Sequence, residues 1–130
     1  MPLTLIDTSS WVEALRRQGD EQVRERVHKL LVNGQTVWCD MVLLELWNGA
    51  RGNYEKKRLE QLEQEMICLP TTPAVWEQAR ALARLCRKNG VTAPATDVLV
   101  VACARTHQVG IEHQEAKAML GVCIVKDFFR

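Results

Sequence analysis

The sequence predicts an α/β protein with a mainly parallel, five-stranded sheet and helices on both faces. Three observations carry this reading. Short runs rich in apolar and β-forming residues recur at 3–6, 36–39, 66–69, 110–113 and 122–125. The stretches between them show helical periodicity, and strand–helix alternation is the pattern of a parallel sheet covered on both sides. No repeat, low-complexity segment or Gly/Ser linker divides the 130 residues, so a single domain over 1–130 accounts for the chain.

Each element has a local cause. The apolar run 3–6 meets Asp7-Thr8-Ser9-Ser10, four residues that cap helices well, and a short helix over 11–17 follows, stopped near Gly19. Asp20 caps a second helix to about Val32, with Val23, Val27, Leu30 and Leu31 on one face and Gly34 closing it. After the strand at 36–39, Asp40 is expected to cap a helix over 41–48, broken by 49–53. The charged stretch 54–65 keeps only Leu59 and Leu62 for a core. Following the strand at 66–69, Pro73 suits the first turn of a helix running to Lys88, where Asn89-Gly90 stops it. Pro94 opens a helix to about Thr106, and the strand 110–113, a helix over 115–120 and the strand 122–125 complete the alternation.

Composition sets limits on function. Lys and Arg number 17 against 16 Asp and Glu, a net charge of +1. Phosphate neutralisation dominates sequence-independent duplex binding, so a charge-driven coat protein is excluded. The five cysteines are odd in number and none is paired as C-x-x-C; most stand in apolar runs, where a thiol packs as a small hydrophobe. A reducing, cytoplasmic compartment is expected. The first residues have no signal-peptide pattern, and the longest apolar run, 98–104, is too short to span a bilayer, so no membrane partner is expected. Trp11, Trp38, Trp47 and Trp76 lie on apolar faces and are expected in the core or at a contact with a second copy.

In an open α/β sheet the ligand crevice lies beyond the carboxyl ends of the strands. Four acids fall at or near that edge. Asp7 ends the first strand; it could cap the next helix, but Thr8, Ser9 and Ser10 could do so equally, leaving its carboxylate for other work. Glu45 interrupts Val42-Leu43-Leu44-Glu45-Leu46-Trp47, and helical period puts Met41, Leu44 and Asn48 near its face, a partly buried face on which a carboxylate needs a neighbouring cation. Asp97 occupies the first turn of the helix opened by Pro94, and Glu115 follows the fourth strand. An all-oxygen set from four segments favours Mg2+ or Mn2+, which orients a phosphodiester and activates water. Arg16, Arg17, Arg51, Lys56, Lys57 and Arg58 are candidates to guide a phosphodiester backbone from outside. No Ser-His-Asp or Cys-His arrangement and no Gly-rich phosphate loop stands out.

The order of these acids resembles the PIN-domain nucleases, and most closely the VapC toxins of bacterial toxin–antitoxin pairs. The resemblance rests on Leu5-Ile6-Asp7-Thr8-Ser9-Ser10-Trp11, on Val42-Leu43-Leu44-Glu45-Leu46-Trp47-Asn48-Gly49, and on Ala95-Thr96-Asp97-Val98-Leu99-Val100-Val101-Ala102-Cys103-Ala104. It implies a three-layer PIN-like fold with Asp7, Glu45 and Asp97 as metal-binding acids and Thr8 or Ser9 in support. It implies a Mg2+- or Mn2+-dependent endoribonuclease, a homodimer, and neutralisation by a VapB-like antitoxin. The fourth block departs from the family pattern. His113-Gln114-Glu115-Ala116-Lys117-Ala118 has Glu115 where an Asp is usual and Ala118 where an aromatic is usual. That departure is the feature favouring the alternative, a decayed PIN domain that dimerises or binds protein without cutting.

Overall fold

Four of the expected strands form, and all of them pair in parallel. The computed structural model describes residues 2–112, with β1 (Thr4–Ile6), β2 (Thr36–Cys39), β3 (Ile67–Leu69) and β4 (Gly110–Glu112). The sheet order is β3-β2-β1-β4. Leu5 stands opposite Val37 and Ile111, and Val37 opposite Ile67, so the most apolar residues of the strands share one level. The expected helix at 115–120, the fifth strand at 122–125 and Glu115 itself lie outside the described residues.

The helices among the described residues are α1 (Thr8–Leu15), α2 (Glu21–Val32), α3 (Asp40–Gly49), α4 (Gly52–Glu65), α5 (Pro73–Lys88) and α6 (Ala95–Thr106). Three begin at side-chain caps: the Asp20 carboxylate accepts from Val23 N at 3.0 Å, the Thr72 hydroxyl accepts from Val75 N at 3.3 Å, and Asp7 caps α1. The expectation for Asp40 is corrected. Cys39 is the N-cap of α3, with extended φ and ψ of −126° and 168°, and Asp40 already lies in the first turn. Its carboxylate instead accepts from Thr71 Oγ1 at 3.2 Å and Cys68 Sγ at 3.4 Å, which ties the start of α3 to the end of β3. Burial, followed by the Asp40 carboxylate, pushes the Cys68 thiol up to about 12 and keeps it a donor.

The helix break expected over 49–53 shrinks to Ala50 and Arg51, with Gly52 turning the chain at φ of +76°. Gly19, between α1 and α2, permits a close approach: a Cβ there would stand 1.8 Å from the Glu13 carbonyl oxygen.

The core forms where these helices cover the sheet. Trp11 of α1 and Trp38 of β2 are fully buried, their ring centroids 5.6 Å apart and tilted by 52°. All seven residues from Val98 to Ala104 are buried, so the apolar run in the sequence is a helix enclosed on every side, chiefly by α5. Trp47 is half-buried and its indole N–H donates to Glu63, whereas Trp76 is 48% exposed. The four tryptophans thus divide between core and surface. Among the described residues no helix is long and apolar enough to cross a membrane.

Candidate active site

The carboxyl ends of β1, β2 and β4 carry the candidate site. The Asp7 backbone N–H donates to the Glu112 carbonyl at 3.0 Å, which extends the β1–β4 pairing by one residue and holds Asp7 at the sheet edge. Asp7 is fully buried, and its Oδ1 accepts from Ser10 N at 2.8 Å. Of the caps the sequence leaves open for α1, Asp7 is the one that forms, because its extended backbone points its carboxylate at the open N–H groups of the first turn. The Ser9 hydroxyl also donates to that carboxylate, at 3.0 and 3.1 Å to its two oxygens. Cap and candidate ligand are one group.

Thr8 joins Asp7's loop to the second acid. Its hydroxyl donates to Glu45 Oε1 at 2.7 Å, across 37 residues of sequence. The bond forms because α1 and α3 both begin at the same sheet edge and pack on each other. Glu45 is half-buried, but not on the face expected for it: Leu44, 62% exposed, and Asn48 both face outward. The buried stripe of α3 is Val42 and Leu46, four residues apart, which puts Glu45 at the stripe's margin. There it borders a cavity of about 460 Å³ that Arg16 and Arg51 also line.

Asp97 is half-buried in the first turn of α6. Leu99, in the same turn, lines one apolar pocket with Asp40 and Met41, so this end of α6 also lies at the carboxyl edge of the sheet. Among the described residues, no three His, Cys, Asp or Glu side chains make a group that could hold a metal ion. The structure thus forms two separate hydrogen-bonded pairs on adjacent residues, Ser9 with Asp7 and Thr8 with Glu45, and places Asp97 in the first turn of α6.

Two features escaped the sequence reading. Glu112, which ends β4, pairs with Arg26 of α2 at 2.6 Å, and this contact raises the Arg26 pKa. Only its position opposite Ile6 in the sheet register could have pointed to it. The Ser10 hydroxyl, next to Asp7's loop, is buried without a hydrogen-bond partner among the described residues. Its place directly after Asp7-Thr8-Ser9 was the available signal.

Comparison with known proteins agrees with this fold. The PIN domain family model matches residues 4–111. The VapC ribonuclease Mb1587 of Mycobacterium bovis and ribonuclease VapC11 of Mycobacterium tuberculosis are each 30% identical over 118 residues, 88% of this chain and 87% of theirs. Among solved structures, FitAcB from Neisseria gonorrhoeae superposes with a TM-score of 0.73 at 19% identity, and VapBC-1 from nontypeable Haemophilus influenzae with 0.72 at 19%; each match covers 94% of both chains. The VapBC2 complex of Rickettsia felis, bound to a promoter DNA fragment, gives 0.73 at 13% identity, covering 90% of both. At these identities the structures speak for the fold alone. The family match spans β1 to β4 and includes Asp7, Glu45 and Asp97 in the order seen here, so the chain belongs to the PIN-domain family.

Proposed function

We propose that this chain is a VapC-type toxin, an endoribonuclease that hydrolyses RNA phosphodiester bonds and is neutralised by a VapB-like antitoxin. Its RNA substrates place it in the cytoplasm. The observation that carries the reading is the Thr8–Glu45 hydrogen bond, which ties the second acid to the residue directly after Asp7, in a chain 30% identical to ribonucleases. The donor chemistry fits a hard cation. The carboxylates, the Thr8 and Ser9 hydroxyls and the unpartnered Ser10 hydroxyl present oxygen alone, the ligand type that Mg2+ and Mn2+ take. The family resemblance assigns Asp7, Glu45, Asp97 and Glu115 to the ion; among the described residues the first three do not by themselves make a group that could hold one. When bound, the ion supplies Lewis acidity toward a phosphodiester oxygen and lowers the pKa of a water.

The rest of the chemistry belongs to the chain's own groups. Ser10 N and Ser9 Oγ fix the Asp7 carboxylate before any ligand arrives, which lowers the ordering cost of binding. Thr8 sets the rotamer of Glu45. Thr8 is thus a positioning residue: Thr8→Val should lower kcat/KM about tenfold, in the range seen when a ligand's hydrogen-bond partner is lost, and Thr8→Ser should recover most of it.

The direct test incubates the purified protein with RNA in Mg2+ or Mn2+. The expected result is cleavage that leaves 5′-phosphate ends, stops with chelator and returns with either ion. Expression alone should arrest growth, and co-expression of the antitoxin should relieve it. Absence of cleavage with both ions, together with normal growth, overturns the reading.

A further inference from the structure

We propose that the cavity between α1, α3 and α4 is a nucleobase subsite, which takes one unstacked base of the RNA beside the scissile bond. The inference rests on the ribonuclease reading and specifies how that site holds its substrate. The cavity, about 460 Å³, falls within the roughly 300–1,000 Å³ typical of small-ligand sites. Glu45 forms part of the wall, so anything bound there lies against one of the candidate catalytic acids. Its floor is apolar: Leu15, Leu46 and Leu59 are buried and Val12 is half-buried. Arg16, just after α1 and paired with Glu13 at 3.5 Å, and Arg51, just before α4, are both exposed and border the cavity.

The chemistry of the lining selects the occupant. A phosphate gains nothing from an aliphatic floor and is repelled by Glu45 and Glu55, which also lines the cavity. A base is flat, uncharged and apolar on its faces, and suits that floor. The phosphates on either side of it are the groups that need cations, and the two arginines stand at the rim to meet them. Single-stranded RNA is recognised in this way, by splayed bases held in pockets and a backbone held by charge.

The cavity can be filled without disturbing the core. Gly49 lines it at the last position of α3, and a Cβ added there meets nothing within 4 Å. Gly49→Leu therefore puts a side chain at the cavity wall while removing a residue that disfavours helix.

The test uses a short single-stranded RNA with a mapped cleavage site, and a series in which each nucleotide around that site is made abasic in turn. For the wild type, one abasic position should raise KM about tenfold with kcat within about twofold, the range of a lost base contact. Gly49→Leu should raise KM for the intact RNA by a similar factor and lose sensitivity to that abasic position. Arg51→Ala should raise KM and keep the sensitivity. If every abasic RNA is cut by the wild type with unchanged KM, the subsite is overturned, and this arm stands even if Gly49→Leu fails to fold. A folded Gly49→Leu protein that cuts normally but escapes its antitoxin assigns the cavity to a protein segment and overturns the proposal too. A wild type that cuts no RNA defeats the ribonuclease reading itself, a result distinct from both.

Discussion

Asp7→Asn should remove RNA cleavage by about 100-fold or more while shifting the melting temperature by only a few degrees. The separation follows from the cap role this carboxylate has and the metal-ligand role proposed for it. As a cap it needs one acceptor oxygen toward Ser10 N, and the Asn amide oxygen provides that nearly as well. As a metal ligand it needs negative charge, which the amide lacks. Asp7→Ala removes both functions. It leaves the Ser10 N–H in the interior without its acceptor, at a cost of about 1–3 kcal/mol, so this variant should lose stability as well as activity. Circular-dichroism melts beside cleavage assays distinguish the two variants. Cleavage by Asp7→Asn within a few-fold of wild type would remove Asp7 from the site.

The strand–helix alternation was legible because each strand is short, apolar and followed by residues that start helices. Asp7 was legible for the same reason, since a carboxylate closing an apolar run belongs at the strand ends. Glu45 stood out as a charge inside an apolar helix, yet its face was misread. The buried stripe runs through Val42 and Leu46, and a helix of ten residues gives too few turns to decide between two apolar stripes from spacing alone. The Asp40 boundary moved by one residue, a shift that changed a supposed cap into a tie to β3. The Thr8–Glu45 bond could not be read, because it joins segments 37 residues apart through packing of α1 on α3. Glu112 was passed over for a related reason: its partner Arg26 is 86 positions away.

The near-neutral charge hides an uneven distribution. The 17 Lys and Arg and 16 Asp and Glu almost cancel over the whole chain, and on the proposed reading the acids at the strand ends and the arginines around the Glu45 cavity serve different parts of one substrate. Acids close to the scissile phosphate repel RNA unless a cation intervenes, so binding has to come from groups placed outside them. This is why KM and kcat should respond to different residues: Arg16, Arg51 and the cavity floor to the first, Asp7 and Glu45 to the second.

The largest stability effect should come from Trp38. It is 1% exposed in the central strand pair and packs against Trp11 across the layer between sheet and α1. Trp38→Ala should cost about 3–5 kcal/mol through lost burial and a cavity that close packing cannot collapse. For a chain of this length that corresponds to a fall in melting temperature of roughly 10–25 °C. Trp11 should behave differently under a conservative change. Its indole N–H is buried with no hydrogen-bond partner among the described residues, an arrangement that costs about 1–3 kcal/mol. Trp11→Phe removes that unpaired donor along with some apolar volume, and the two effects oppose each other. Its melting temperature should therefore stay within a few degrees of wild type, whereas Trp11→Ala should fall about as far as Trp38→Ala. Trp11 lies one turn beyond Thr8 on α1, so a cavity at either ring loosens the helix that sets Glu45. Trp38→Ala should accordingly lose cleavage at temperatures below its melting transition. If Trp38→Ala melted within a few degrees of wild type, the tryptophan pair would not be the centre of this core.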